Sequence, residues 1–245
     1  MNDQTHSIRL FIATPLKEND RVFLTPRQSH YLLNVMRLSV GQSFLIFNGE
    51  DGEFLAQISE IQKRIVHLTI KKQTHPQPKT TTLNLLFAPL KGERLGFLVE
   101  KATELGVSDF IPIFTKHTVP SYINLERIEA RAIEAVEQCE RLGIPNVHES
   151  MSLEDMLEKW SPSEALFFCE ERAADALPLW EALKKEPRGC SFLVGPEGGF
   201  SVEEKELLKS KSFVKPVSLG AQILRSETAA IMSLCLFMAS TQKGA

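Results

Sequence analysis

Two glycine-bearing loops in the last third of the chain carry the residue types that do chemistry. The first reads Gly195-Pro196-Glu197-Gly198-Gly199-Phe200. The second reads Leu219-Gly220-Ala221-Gln222-Ile223-Leu224-Arg225-Ser226-Glu227-Thr228. Each follows a short apolar run of strand type and precedes a helical pattern. Ligands in open α/β sheets sit at the carboxyl ends of strands, and glycine lets the backbone come close to them. The pair predicts a cleft built largely of main-chain groups. Arg225 and Glu227 add a fixed positive charge and a carboxylate, suited to stabilising a developing anion and moving a proton. The structural alternative is a tight loop with a helix cap, and a brace or cap role for Glu227.

The spacing also excludes familiar chemistries. The loop glycines fall at 195, 198 and 199, so there is no G-x-G-x-x-G, and no phosphate-binding G-x-x-x-x-G-K occurs either. Ser201 lacks the G-x-S-x-G context of a hydrolase nucleophile. His30 reads as a structural or surface histidine. His117, just past a strand end, is a weaker candidate for the same cleft. Glu203 and Glu204 read as an exposed first helical turn.

The elements around these loops form a repeating pattern. Residues 83–88, 110–114, 165–169, 191–194 and 214–219 are short, nearly continuous apolar runs, as in strands buried on both faces of a parallel sheet. Helical patterns over 94–105, 124–141 and from the Ser201 cap alternate with them, which predicts an α/β sheet with crossovers. The last helix, Ser226 to Ser240, carries no charge after Glu227 and must be buried. Before residue 72 the grammar is mostly β: runs at 8–12, 21–24, 43–47, 53–58 and 65–70, with one helix from the Thr25 cap to Arg37. This predicts a small β-barrel over residues 1–72. Gln73 to Thr80, with two prolines and no large apolar residue, predicts a linker, and 81–245 a second domain.

The chain has 245 residues, of which 43% are hydrophobic and 24% charged, which excludes a disordered or fibrous chain. No apolar run approaches the ~20 residues of a membrane helix. The N-terminus has no basic segment leading an apolar one, so no signal peptide and a cytoplasmic location are expected. Cys139, Cys169, Cys190 and Cys235 form no C-x-x-C pair, so no metal is expected. Net charge is −3, but residues 1–80 carry ten Lys/Arg against seven Asp/Glu and the remainder 18 against 24. A small basic module on a larger acidic one fits an RNA-reading domain on an enzyme.

At these residues the sequence resembles the ribosomal small-subunit methyltransferase E family, within the knotted SPOUT methyltransferases. The matching pieces are Arg9-x-Phe11, His30-Tyr31-x-x-x-Val35-x-Arg37, Glu100-Lys101-Ala102-Thr103-Glu104-Leu105-Gly106-Val107, Glu137-Gln138-x-x-Arg141 with Ile144-Pro145, and the two glycine loops. The resemblance implies an S-adenosylmethionine-dependent enzyme that methylates N3 of one uridine of 16S rRNA near the decoding centre, position 1498 in the usual numbering. It further implies an N-terminal PUA-like β-barrel, a C-terminal trefoil knot and a homodimer, with the apolar last helix as a natural interface.

On that reading the cofactor-binding residues are Phe168, Cys169, Glu170, Gly195, Glu197, Gly198, Gly199, Leu219, Gly220, Ile223 and Leu224. Arg225 and Glu227 are catalytic, and Arg9, Arg21, Arg27 and Arg37 grip RNA through phosphate. The rivals are a non-catalytic RNA-binding or assembly factor, and an enzyme of the same fold acting on another nucleotide or on ribose O2′.

Overall fold

The computed structural model describes residues 8–170, 176–185 and 189–241. The stretch that argued against a leader lies mostly outside them. The chain divides into two compact units: residues 1–79 with 136–144, and residues 80–135 with 145–245.

The first unit holds β1 (Arg9–Phe11), β2 (Arg21–Phe23), α1 (Pro26–His30), β3 (Ser43–Phe47), β4 (Glu53–Gln62) and β5 (Ile65–His75). They form one sheet in the order β1-β3-β4-β5-β2, with only the β1–β3 pair parallel. Alternation puts Phe44, Ile46, Ala56, Ile58, Val66, Leu68 and Ile70 on one face, all fully buried with Leu32. Three register shifts in the β4–β5 ladder bend these strands around that core.

Two expectations need correction here. The helix from Thr25 is shorter than its amphipathic pattern. Thr25 and Gln28 form a capping box that opens α1. A π-helical turn, Tyr31–Val35, then follows, and Arg37 takes a left-handed φ of 55° that ends it. The expected linker also begins too early, because β5 runs on to His75. The Thr74 hydroxyl donates to the Glu53 carboxylate at 2.8 Å, and His75 Nδ1 lies 2.9 Å from the same oxygen. Gly52, at φ 95°, brings its backbone against His75, where a side chain would collide with the His75 carbonyl. These contacts outweigh the weak strand propensity of Gln73-Thr74-His75.

The second unit holds β6 (Leu83–Phe87), α2 (Glu93–Glu104), β7 (Asp109–Phe114), α3 (Leu125–Cys139), β8 (Asn146–Val147), β9 (Met151–Ser152) and α4 (Leu153–Lys159). There follow β10 (Leu166–Cys169), β11 (Leu177–Pro178), α5 (Leu179–Ala182), β12 (Cys190–Val194), α6 (Val202–Lys209), β13 (Val214–Ser218) and α7 (Ser226–Thr241). The last turn of α3 is counted with the first unit. All strand pairs are parallel, in the order β11-β13-β10-β12-β6-β7-β8, with β9 also on β7.

β6, β10 and β12 are buried along their whole lengths, which is why their sequences do not alternate. Leu85, Phe110, Phe167 and Phe192 face a core shared with α2 and α7. Leu86, Phe168 and Leu193 face a second core with Leu153 and Met156 of α4 and Leu208 of α6. Among the described residues no helix is long and apolar enough to cross a membrane.

Candidate active site

Three adjacent strands, β13, β10 and β12, end at one edge of the second unit's sheet. The chain leaves β12 through the first glycine loop, passes through α6 and returns on the far side of β10 as β13, so both glycine loops open beside the end of β10. Between them lies a cavity of about 550 Å³. Of the eleven residues expected to hold a cofactor, seven line it: Cys169, Glu170, Gly195, Leu219, Gly220, Ile223 and Leu224. The sequence reading missed Val194, Ser218, Ala221, Gln222, Ser226 and Ala229, which line it too. Ala221, Gln222 and Ser226 sit inside the quoted loop and Ser218 and Ala229 flank it, so the loop itself was the signal. A larger groove, about 810 Å³, runs between residues 89–100 and 120–134, and neither glycine loop reaches it.

The other four expected residues lie away from that cavity. Phe168 is fully buried and meets the Phe200 ring edge-on at 5.1 Å. Glu197 pairs with Arg94 at 2.8 Å. Gly198 packs on His117. Gly199, at φ 67°, closes a turn by donating its N–H to the Pro196 carbonyl at 2.9 Å; with Phe168 it borders only a recess of about 20 Å³. These residues shape the loop from behind.

Several contacts hold the loops. The Ser226 hydroxyl donates to the Gly195 carbonyl at 2.7 Å, tying the second loop to the first. His117 Nδ1 lies 3.2 and 3.1 Å from the carbonyls of Gly198 and Gly199. Both partners only accept, so that nitrogen carries the proton. Glu204 closes a capping box with Ser201 and accepts the Lys116 N–H at 2.7 Å. Gly195 has no room for a side chain: a Cβ would stand 2.5 Å from the Phe200 ring.

The cavity's chemistry is mild. Glu170 is half-buried with its side chain 7% exposed, and its carboxylate pairs with Lys209 at 2.7 Å. Burial pushes the Cys169 thiol up to about 11, against a smaller opposing effect of the Ser233 hydroxyl, so Cys169 is a neutral wall. Among the described residues no bond occupies the N–H groups of Ala221, Gln222, Ile223 and Leu224. Free amides beside Leu219, Ile223 and Leu224 suit a flat heteroaromatic ring that needs main-chain hydrogen bonds and apolar faces.

Arg225 lies between two lining residues, Leu224 and Ser226, with its side chain exposed. Glu227 is 8% exposed, and its Oε2 is buried with no hydrogen-bond partner among the described residues. No ion pair joins the two among the described residues. No cluster of three metal-ligating side chains occurs among them either.

One expected RNA contact is corrected. Arg9 is 6% exposed. Its guanidinium pairs with Glu53 at 2.8 Å, donates to the carbonyls of Val136 and Arg141, and lies 4.7 Å from the centre of the Phe47 ring. It is a structural cation of the first unit and has no face for phosphate. Arg21, Arg27 and Arg37 are exposed.

The family model of the RNA methyltransferase domain matches residues 76–238, and that of the RNA methyltransferase PUA domain matches residues 24–71. The chain is 36% identical to the ribosomal RNA small subunit methyltransferase E of Rickettsia conorii over 227 residues, 92% of this chain and 93% of that one. It belongs to the ribosomal RNA small subunit methyltransferase E family. The Bacillus subtilis member is 26% identical over 239 residues, 93% of each chain. Among solved structures, a putative methyltransferase from Legionella pneumophila in complex with S-adenosylmethionine superposes with a TM-score of 0.84 at 28% identity, covering 95% of this chain and 97% of that one. The family member from Neisseria gonorrhoeae shares the fold at a TM-score of 0.85 and 23% identity, covering 96% and 98%. Family membership makes the fold that of a SPOUT methyltransferase with an N-terminal PUA-like domain.

Proposed function

We propose that this chain transfers the methyl group of S-adenosylmethionine to N3 of one uridine in 16S rRNA of the small ribosomal subunit. The observation that carries this reading is the strand-end cavity, with its row of unbonded amides at 221–224, in a chain of this family. The residues fit the cofactor. The amides and the apolar side chains of Leu219, Ile223 and Leu224 would hold the adenine, and Glu170 is the acidic side chain in the cavity lining, suited to a cationic ligand. When bound, S-adenosylmethionine supplies an electrophilic methyl group on a sulfonium.

The chain's own task is to make uracil N3 nucleophilic and hold it in line, and alignment alone is worth roughly 7–11 kcal/mol. The N3 proton must leave, and the anion then spreads onto the two flanking carbonyl oxygens. Arg225, exposed and without an ion pair among the described residues, stabilises those oxygens. Glu227 Oε2, free of partners, takes the N3 proton through a water.

The same reading includes a C-terminal trefoil knot, a cytoplasmic location and a homodimer. For the dimer there is a specific support. α7 keeps an apolar stripe in the open, Met232, Cys235, Met238 and Ala239, although Ala229, Ala230, Leu234 and Phe237 of the same helix are buried in the core. Light scattering checks this; a 27.5 kDa species at micromolar concentration contradicts it. Mass spectrometry of 16S rRNA from cells lacking this protein tests the reaction. We expect loss of one uridine base methylation with all others intact; unchanged RNA overturns the reading.

A further inference from the structure

The β4–β5 hairpin closes in a way its sequence disfavours. Gln62 pairs with Ile65, so the loop between them is two residues long, Lys63-Arg64. Both take left-handed φ values, 49° and 66°. Two-residue hairpin loops of this kind favour Asn-Gly or Gly-Gly, because a side chain at positive φ crowds its own backbone. Two long cations stand there instead. Both are exposed, with no ion pair among the described residues. Strain of this kind persists where the side chains serve a purpose that the relaxed residues would not.

A second observation lies on the same strands. Phe23, the last residue of the edge strand β2, is 66% exposed although it is paired in the ladder with His67. Among the described residues its one ring contact is edge-on with His67 of β5, at 4.7 Å. The Phe23 face is therefore open. Arg21 projects from the same side of β2, two residues away, and also has no ion pair among the described residues. Pairing places Arg21 opposite Thr69 and Phe23 opposite His67. Arg64 follows three residues beyond His67, about 10 Å at ~3.3 Å per residue. Along one sheet edge the order is cation, aromatic, cation. Glu60, 3.7 Å from His67, is the acidic neighbour.

We propose that this edge is a binding track for unpaired RNA, in which one base stacks on Phe23, braced by His67, while Arg21, Lys63 and Arg64 hold the flanking phosphates. The inference rests on the RNA-methylating reading above. Its logic is that of single-strand binding, where aromatic platforms take base faces and cations follow the backbone. Neither the hairpin tip nor Phe23 contributes to the first unit's core, so both can change without unfolding it.

The test uses the full chain, naked 16S rRNA and intact small subunits. The double variant Lys63→Asn with Arg64→Gly relaxes the turn and removes two charges. We expect a higher melting temperature, weaker RNA binding and a salt slope shallower by about 1.4, two phosphates at ~0.7 each for single strands. Phe23→Ala should lower affinity for naked RNA at least about fivefold. S-adenosylmethionine affinity by calorimetry should match wild type in both. Wild-type affinity and slope in both variants overturn the track. If Phe23→Ala weakens binding to subunits but not to naked RNA, the edge docks on protein and the proposal is also overturned. If the wild-type chain itself binds no 16S rRNA, the reading beneath it falls first.

Discussion

The Ser226 hydroxyl donates to the carbonyl of Gly195 across 2.7 Å, joining the two loops through residues 31 positions apart in the chain. Both residues line the cavity, and Ser226 is buried. The bond sets the separation of the two walls between which the cofactor would lie. Ser226→Ala leaves a carbonyl without its donor, a loss of about 1–3 kcal/mol if water cannot replace it. We expect S-adenosylmethionine affinity to fall roughly tenfold by calorimetry, with secondary structure unchanged. Unaltered affinity would show that other contacts set the separation.

The loop glycines should differ in their tolerance. At Gly195 a Cβ meets the Phe200 ring at 2.5 Å, and that ring is itself seated against Phe168. Gly195→Ala must displace one or the other, so cofactor affinity should fall by at least ~10-fold, with a stability cost of about 1–3 kcal/mol typical of overpacking. At Gly220 there is open space, but its φ of 118° is a glycine conformation. Gly220→Ala should therefore cost affinity through backbone strain and little through collision. Gly199 lies outside the cavity wall and holds its turn at φ 67°. A valine there acts by distorting the loop, not by filling the site. Calorimetry paired with thermal melts of the three variants separates these cases.

Much of the second unit was legible because its strands are buried on both faces, which writes continuous apolar runs, and because glycines and caps punctuate their ends. The same rule located the cavity, since ligands at strand ends need no knowledge of the tertiary fold. What the sequence hid is long-range. Arg9 reads as a surface cation in a short strand. Its burial depends on residues more than 120 positions away: the carbonyls of Val136 and Arg141, and Glu137, whose carboxylate accepts the Phe11 N–H at 2.8 Å. Arg9-x-Phe11 and Glu137-x-x-x-Arg141 are separate pieces in the sequence and one structural contact in the fold. The sidedness of Glu197 and Gly199 was equally invisible, because a loop's inner and outer walls have no period.

The Arg9–Glu53 pair predicts a pH dependence. Burial alone would push the Glu53 carboxyl up, but hydrogen bonds from Arg9, His75 and Thr74 outweigh it and hold the group below its ordinary 4.5. A carboxyl with a lowered folded value stabilises the fold above its unfolded value and loses that contribution as pH falls. The first unit should thus weaken as pH drops below about 4.5, while near-neutral stability stays flat with respect to this group. Arg9→Ala removes the buried cation from Glu53 and leaves its carboxylate only Thr74 and His75, a loss of up to about 3–5 kcal/mol. Without Arg9, burial dominates and the acid-side loss should shrink or reverse. Urea unfolding of both proteins at several pH values checks this. An Arg9→Ala chain with wild-type stability and weakened RNA binding would restore Arg9 as an RNA contact.

Arg225 carries the sharpest prediction about chemistry. It sits between Leu224 and Ser226, which both line the cavity, yet its own side chain points to solvent and makes no ion pair among the described residues. A cation serving only to brace the loop would be expected to have a bound partner. Glu227, two residues on, is buried with a free oxygen and does not hold Arg225. Arg225→Ala should therefore leave the fold and most cofactor affinity intact, since no contact of the loop is lost. Methyl transfer should fall at least ~10²-fold, the scale of one lost transition-state donor. Single-turnover rates at saturating RNA and cofactor measure it, and a rate within a few-fold of wild type removes Arg225 from the reaction. The pH profile separates two causes. If the guanidinium acts by stabilising the N3 anion, raising the pH supplies that anion from solution and partly rescues the variant. If it acts by alignment, the defect is constant with pH. Glu227→Gln adds the complementary test: loss of a proton acceptor should be relieved by alkali in the same way, whereas loss of a brace should lower the melting temperature and leave the pH profile of the rate unchanged.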